Sequence, residues 1–133
     1  MVAKENEMSR HELREKAMSA VYAYMMLERD PEVLIEDAFG EETEEDQSYF
    51  KDIVRTAIAN KQRYAGYIDE VIREGWSFER LGMVEKAILL DGCAEFDLKQ
   101  VEAAVIIDQA VRLAKQYCDK DAYKLINRVL EVI

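Results

Sequence analysis

Only one proline, Pro31, and five glycines interrupt a chain of 133 residues, and between them apolar side chains recur at three- and four-residue spacing. That spacing lines one face of an α-helix, whereas a half-buried strand would need strict alternation. No segment sustains such alternation with β-branched residues. Ala, Leu, Glu, Lys and Met, all good helix formers, dominate the composition. The expected fold is all-α: a compact bundle of six or seven helices forming one domain over residues 1–133, with 1–8 expected to be disordered. Half of the residues are hydrophobic, enough for a single core at this length.

Local signals divide the chain. Ser9 and Glu12 form a capping-box pattern that opens a first helix, with Leu13, Ala17, Ala20, Val21 and Tyr24 directed to the core. Asp30-Pro31 starts a second helix that Gly40 closes. Glu41 to Asp46 reads as an acidic loop whose last carboxylates sit at the next helix N-terminus. Two amphipathic sets follow, Phe50 to Ile58 and Tyr64 to Ile72. They fit either one long bent helix or two helices breaking between Asn60 and Gly66. Ser77 is expected to cap the next helix, which carries Leu81, Val84, Ala87, Ile88 and Leu89, with Gly92 weakening it and Asp97 to Gln100 forming a turn. Another helix is marked by Val105, Ile106, Val111, Leu113, Ala114 and Tyr117. Asp119 is expected to cap the last, with Leu125, Ile126, Val129, Leu130 and Ile133 inward.

Little in this pattern supports catalysis. Cys93 and Cys118 show no CxxC spacing and have no histidine nearby, His11 being the only one, so neither a zinc site nor a disulfide framework is expected. Both read as small core side chains. Phosphate-binding glycine loops and nucleophile elbows are missing, as is an inward-facing carboxylate–histidine set for a metal, so no enzyme activity and no cofactor are expected. No apolar run reaches the roughly 18–20 residues of a membrane span, and the first residues lack an apolar signal region, so a cytoplasmic location is expected.

The net charge of −10 argues against a nucleic-acid partner until its distribution is read. Residues 1–29 sum to zero, residues 30–52 hold ten acids against Lys51 alone, and the remainder carries only −1. Arg10 and Arg14 lie one turn apart with His11 between them, while Lys120, Lys124 and Arg128 form an i, i+4, i+8 stripe beside Tyr123. Such a ridge with an adjacent ring suits single-stranded RNA, with phosphates on the charges and a base on the ring. The same spacing also suits an ordinary solvated helix face.

Longer blocks carry a resemblance: Tyr49-Phe50-Lys51-Asp52-Ile53, Leu81-Gly82-Met83-Val84-Glu85-Lys86-Ala87-Ile88-Leu89, Ala110 to Lys115, and Lys124-Leu125-Ile126-Asn127-Arg128-Val129-Leu130. Arg10, Arg14-Glu15, Ala17 and Val21-Tyr22 extend it into the first helix. Over essentially its whole length the chain resembles the NusB family of bacterial transcription antitermination factors. The resemblance implies a helical, non-catalytic module that pairs with NusE, a small-subunit ribosomal protein. The pair would bind the boxA element of nascent RNA and help RNA polymerase read through terminators, notably in ribosomal RNA operons. It also implies RNA contacts at Arg10, His11, Arg14, Asp121 and Leu125, to which the charge pattern adds Lys120, Tyr123 and Lys124. Partner contacts are implied at Tyr22 and Glu85, with Glu79 nearby. For Tyr22 the alternative is a half-buried core ring, and for Glu85 a surface acid paired with a neighbouring lysine.

Departures from the family accompany the match. The arginine run is thinned to Arg10-His11-Glu12-Leu13-Arg14, and an aromatic position on the last helix is Leu125. The stretch after the "EKAIL" block is Leu90-Asp91-Gly92-Cys93-Ala94-Glu95-Phe96, and Ile107-Asp108-Gln109-Ala110 stands where the family has "INEA". Two further readings therefore accompany the first: a protein-interaction module that keeps the NusE-type surface without RNA affinity, and the NusB-like domain that precedes certain ribosomal RNA cytosine methyltransferases. A homodimer is compatible with each.

Overall fold

The computed structural model describes residues 8–40 and 45–133. Seven α-helices run through them: α1 (Arg10–Leu27), α2 (Pro31–Phe39), α3 (Glu45–Ala59), α4 (Lys61–Val71), α5 (Met83–Leu98), α6 (Ala103–Tyr117) and α7 (Ala122–Val132), with a single 3-10 turn at Phe78–Arg80. The all-α expectation holds. Met8 packs half-buried against the core, while residues 1–7 and 41–44 lie outside the described residues, including most of the expected disordered start and the first part of the acidic loop. Glu45 and Asp46 open α3, so the last acids of that segment lie at the helix N-terminus as expected.

Helix α5 is the axis of the bundle. Every residue from Lys86 to Glu95 is buried, so the helix is enclosed on all sides rather than amphipathic. Helices α1, α3, α4, α6 and α7 all pack on it. Gly92, expected to weaken the helix, lies inside an unbroken one. A Cβ there would sit 3.1 Å and 3.2 Å from the two methyls of Leu130, which is fully buried on α7. A small residue is needed for α7 to come that close.

Several local signals are reproduced in space. Ser9 and Glu12 make the reciprocal capping box, Asp30 accepts from the Glu32 amide, and Gly40 ends α2 at φ 91°. The two amphipathic sets are separate helices that break at Asn60, whose side-chain amide donates to the Thr56 carbonyl at 2.9 Å. Other expectations are corrected. Ser77 caps no α-helix: the Phe78 amide donates to Asp69 at 2.7 Å, the buried Phe78 ring closes a 3-10 turn, and α5 begins only at Met83. Helix α5 runs on through Leu98, beyond the expected turn at Asp97, and ends where Lys99 takes a left-handed φ of 54°. Asp119 is not the cap of α7, since Asp121 holds that place with no side-chain bond. Ile133 is exposed rather than inward, and of the residues that mark α6, Val105 and Tyr117 face solvent. Cys93 is a buried thiol as expected, and Cys118 is only half-buried.

The buried polar residues on α5 meet different fates. Lys86 lies over the Phe78 ring and 3.8 Å from Glu79. Glu95 is paired with Arg14, as described below. Neither oxygen of Asp91 has a hydrogen-bond partner among the described residues. Burial, with the Glu95 charge one turn away, holds its carboxyl well above the ordinary value of 3.8. A raised folded-state pKa gives stability that is complete below the unfolded value and is lost as pH rises through the folded one. Asp91→Asn, which carries no charge, should therefore melt higher than the wild type. The gap should be nil near pH 4 and widen towards pH 8 in calorimetric scans; a gap independent of pH would refute the assignment. Gly92→Ala gains helix propensity of about 1 kcal/mol, but overpacking against Leu130 costs about 1–3 kcal/mol, so urea titration should show a net loss.

Candidate nucleic-acid and partner interface

The capping box fixes the start of α1 and so sets which way each of its first side chains points. Arg14 turns inward. It is 5% exposed, and its Nε and Nη2 donate to the two carboxylate oxygens of Glu95 at 3.1 and 2.8 Å. The Tyr49 hydroxyl donates to the same carboxylate at 2.6 Å, and burial with that bond raises the phenol pKa far above its usual range. The guanidinium also lies 5.4 Å from the centre of the Phe50 ring. The expectation that Arg14 presents a free cation for RNA is thus corrected: its charge is neutralised inside the bundle.

Arg10, one turn earlier, stays exposed while its guanidinium rests over Phe50 at 5.3 Å. His11 points to the neighbouring face, towards the end of α6. Its Nε2 donates to the Gln116 side-chain oxygen at 2.8 Å and lies 3.8 Å from Glu15, leaving the side chain 12% exposed. A solvated or ligand-facing ring was expected, and the structure shows a bridging one. Gln116 in turn donates to Glu15 at 3.1 Å, and the Tyr117 hydroxyl donates to the same carboxylate. These contacts tie the start of α1 to the end of α6.

The first and last helices do not pack side by side, as a single cationic surface would have required. Each packs on α5, and the link between them runs through Gln116 and Tyr117. Beyond that link come Lys120 and Asp121, in the turn before α7. Lys120 therefore stands outside the expected helical stripe, which is left with Lys124 and Arg128, both exposed. Asp121 pairs with Lys124 at 3.5 Å. Tyr123 is half-buried with the Lys115 ammonium 4.6 Å above its ring. Leu125 is half-buried as well.

Leu125, Lys120 and Asp121 line a groove of about 430 Å³ together with Glu85 of α5 and with Arg73 and Trp76 of the α4–α5 connection. Burial and the nearby Asp119 raise the Glu85 carboxyl pKa. Glu85 has no lysine partner among the described residues, because Lys86 turns to Glu79. Tyr22 is 37% exposed on α1, and Met26 and Leu27 continue an exposed apolar strip beside it. Glu79 is exposed. Sequence patterns pass over Trp76, Arg73 and Gln116 as site residues. For Trp76 the available signal is a lone indole between Gly75 and Ser77 that no helical period assigns to the core.

These placements can be compared with known proteins. The family model described as "NusB family" matches residues 11–133. The transcription antitermination protein NusB of Pediococcus pentosaceus is 32% identical over 132 residues, covering 95% of this chain and 97% of that protein. Among solved structures, the fold is similar to that of antitermination factors NusB and NusE in complex with double-stranded RNA, at TM-score 0.81 and 28% identity, covering 92% of this chain and 93% of the other. T. maritima NusB, at TM-score 0.84 and 22% identity over 95% of this chain and 90% of that one, shares the fold.

Arg14→Ala should leave Glu95 buried without its counter-charge and lower stability by about 3–5 kcal/mol in denaturant titration. Arg10→Ala, at the exposed end of the same helix, should stay within about 0.5 kcal/mol of the wild type. Equal effects of the two would show that the Arg14–Glu95 pair is not what the structure makes it. Matched over nearly its full length by model, sequence and fold, the chain belongs to the NusB family of transcription antitermination proteins, which are not enzymes.

Proposed function

We propose that the chain is a transcription antitermination factor of the cytoplasm that, together with the ribosomal protein NusE, binds boxA-like single-stranded nascent RNA. It would then promote read-through by RNA polymerase, notably in ribosomal RNA operons. The observation that carries this reading is the similarity, over 92% of the chain, to the NusB solved with NusE and double-stranded RNA. The geometry is compatible with it. Through Glu15, Gln116 and Tyr117 the start of α1, with exposed Arg10, is joined to the turn that holds Lys120 and leads to Lys124. Tyr22, Glu79 and Glu85 lie on α1 and on the approach to and first turn of α5, accessible to a protein partner.

Few cations remain for phosphate, because Arg14 is committed to Glu95 and Lys124 lies near Asp121. Fewer phosphate contacts mean weaker binding and a shallower salt dependence. The partner is therefore the expected source of additional affinity. The same observation favours a second reading, a module that binds the NusE-type partner without RNA.

Fluorescence anisotropy of a labelled boxA strand separates the two. Adding NusE should strengthen binding to the single strand, and Lys120→Ala should lower the slope of log affinity against log salt by about one. Binding of the ribosomal protein with no RNA affinity in its presence would select the second reading, and preference for duplex over single strand would reject the boxA assignment.

A further inference from the structure

Leu125 brings no ring to the start of α7, and the structure sets one beside that leucine. Trp76, 48% exposed, lines the same groove as Leu125, Lys120 and Asp121. It reaches the groove from the connection between α4 and α5, so no sequence spacing relates it to α7. The ring is held in place from one side: the Arg80 guanidinium lies 5.6 Å from its centre, and Arg80 itself donates to the Gly75 carbonyl at 2.6 Å. Leu81, Ala122 and Leu125 supply the apolar wall.

We propose that this groove receives one base of a single-stranded RNA, stacked on Trp76, with Arg73 and Lys120 meeting the phosphates on either side. The proposal rests on the RNA-binding reading above. A volume of about 430 Å³ is in the range of sites that enclose small molecules. Arg73 and Lys120 are exposed and form no ion pair among the described residues. Three carboxylates, Glu85, Asp119 and Asp121, also line the groove. They would repel a phosphate from its interior, yet they can accept hydrogen bonds from the exocyclic amino group of a base. Charge thus favours the base inside and the backbone at the exposed cations. Stacking on a ring is tolerant of base identity and needs no duplex. By this route Trp76 supplies a ring beside Leu125, which has none.

Trp76 is the only tryptophan in the sequence, so its emission reports on this groove. The full chain would be titrated, in the presence of NusE, with a short single-stranded RNA containing cytidine and guanosine. Indole emission and the anisotropy of the labelled RNA are followed together, with Trp76→Phe as the blank for emission from the partner. Quenching should saturate along the anisotropy curve. Trp76→Ala should weaken RNA binding roughly 5- to 100-fold, and Trp76→Phe, which keeps a ring, should weaken it less. RNA that binds without quenching, with Trp76→Ala as tight as the wild type, would overturn the proposal while leaving the antitermination reading intact. Absence of RNA binding under all conditions would overturn both. If Trp76→Ala instead loosens the complex with NusE and spares RNA, the groove belongs to the protein partner and the proposal fails.

Discussion

The contact between Arg14 and Glu95 sets the geometry on which the surface depends. It joins α1 to the central helix, and Tyr49 adds α3 to the same carboxylate. A buried ion pair gives little net stability against an apolar replacement, because both charges lose their water. Its directional demand is strict, however: a planar guanidinium bonded through two nitrogens fits one rotation of α1 and few others. With Arg14 fixed inward, the helical period carries Arg10 to the rim above Phe50, sends His11 and Glu15 towards α6, and leaves Tyr22 on the outside.

The enclosure of α5 has a parallel effect at the other end of the bundle. Because α7 approaches closely at Gly92, Leu130 and Ile126 are buried and the opposite face of α7, with Lys124 and Arg128, is left to solvent. The turn before α7 is thereby brought against the start of α5 and the Trp76 segment, which forms the groove. Acidic and basic groups are interleaved there rather than segregated. A surface of that kind suits selectivity through shape more than affinity through bulk charge.

Features that depend on a few neighbouring residues were legible in advance. The Ser9–Glu12 box and the Asp30-Pro31 start close on themselves within one turn, so no distant contact can override them. Ser77 and Asp119 carry the same residue types but not the same outcome. At Ser77 the buried Phe78 ring and the Asp69 carboxylate claim the backbone first. Gly92 misled for a related reason: local propensity reads glycine as a break, whereas the requirement came from a leucine thirty-eight residues on. Of the candidate site residues, Tyr22, Arg10 and Lys124 are exposed, while Arg14 is buried. Nothing in a run of charges distinguishes a solvated arginine from one that meets Glu95 across eighty-one residues.

What the sequence alone determined was the all-helical fold, most of the helix boundaries and the family, because periodicity, caps and motif blocks are all written within short stretches of chain. The tertiary structure alone decided which charges survive at the surface, since desolvation and pairing depend on partners far away in sequence. It also decided that Trp76, Glu85 and the start of α7 share one groove. Exposure and pairing are properties of the packed whole, and a periodicity of three or four residues carries no record of them.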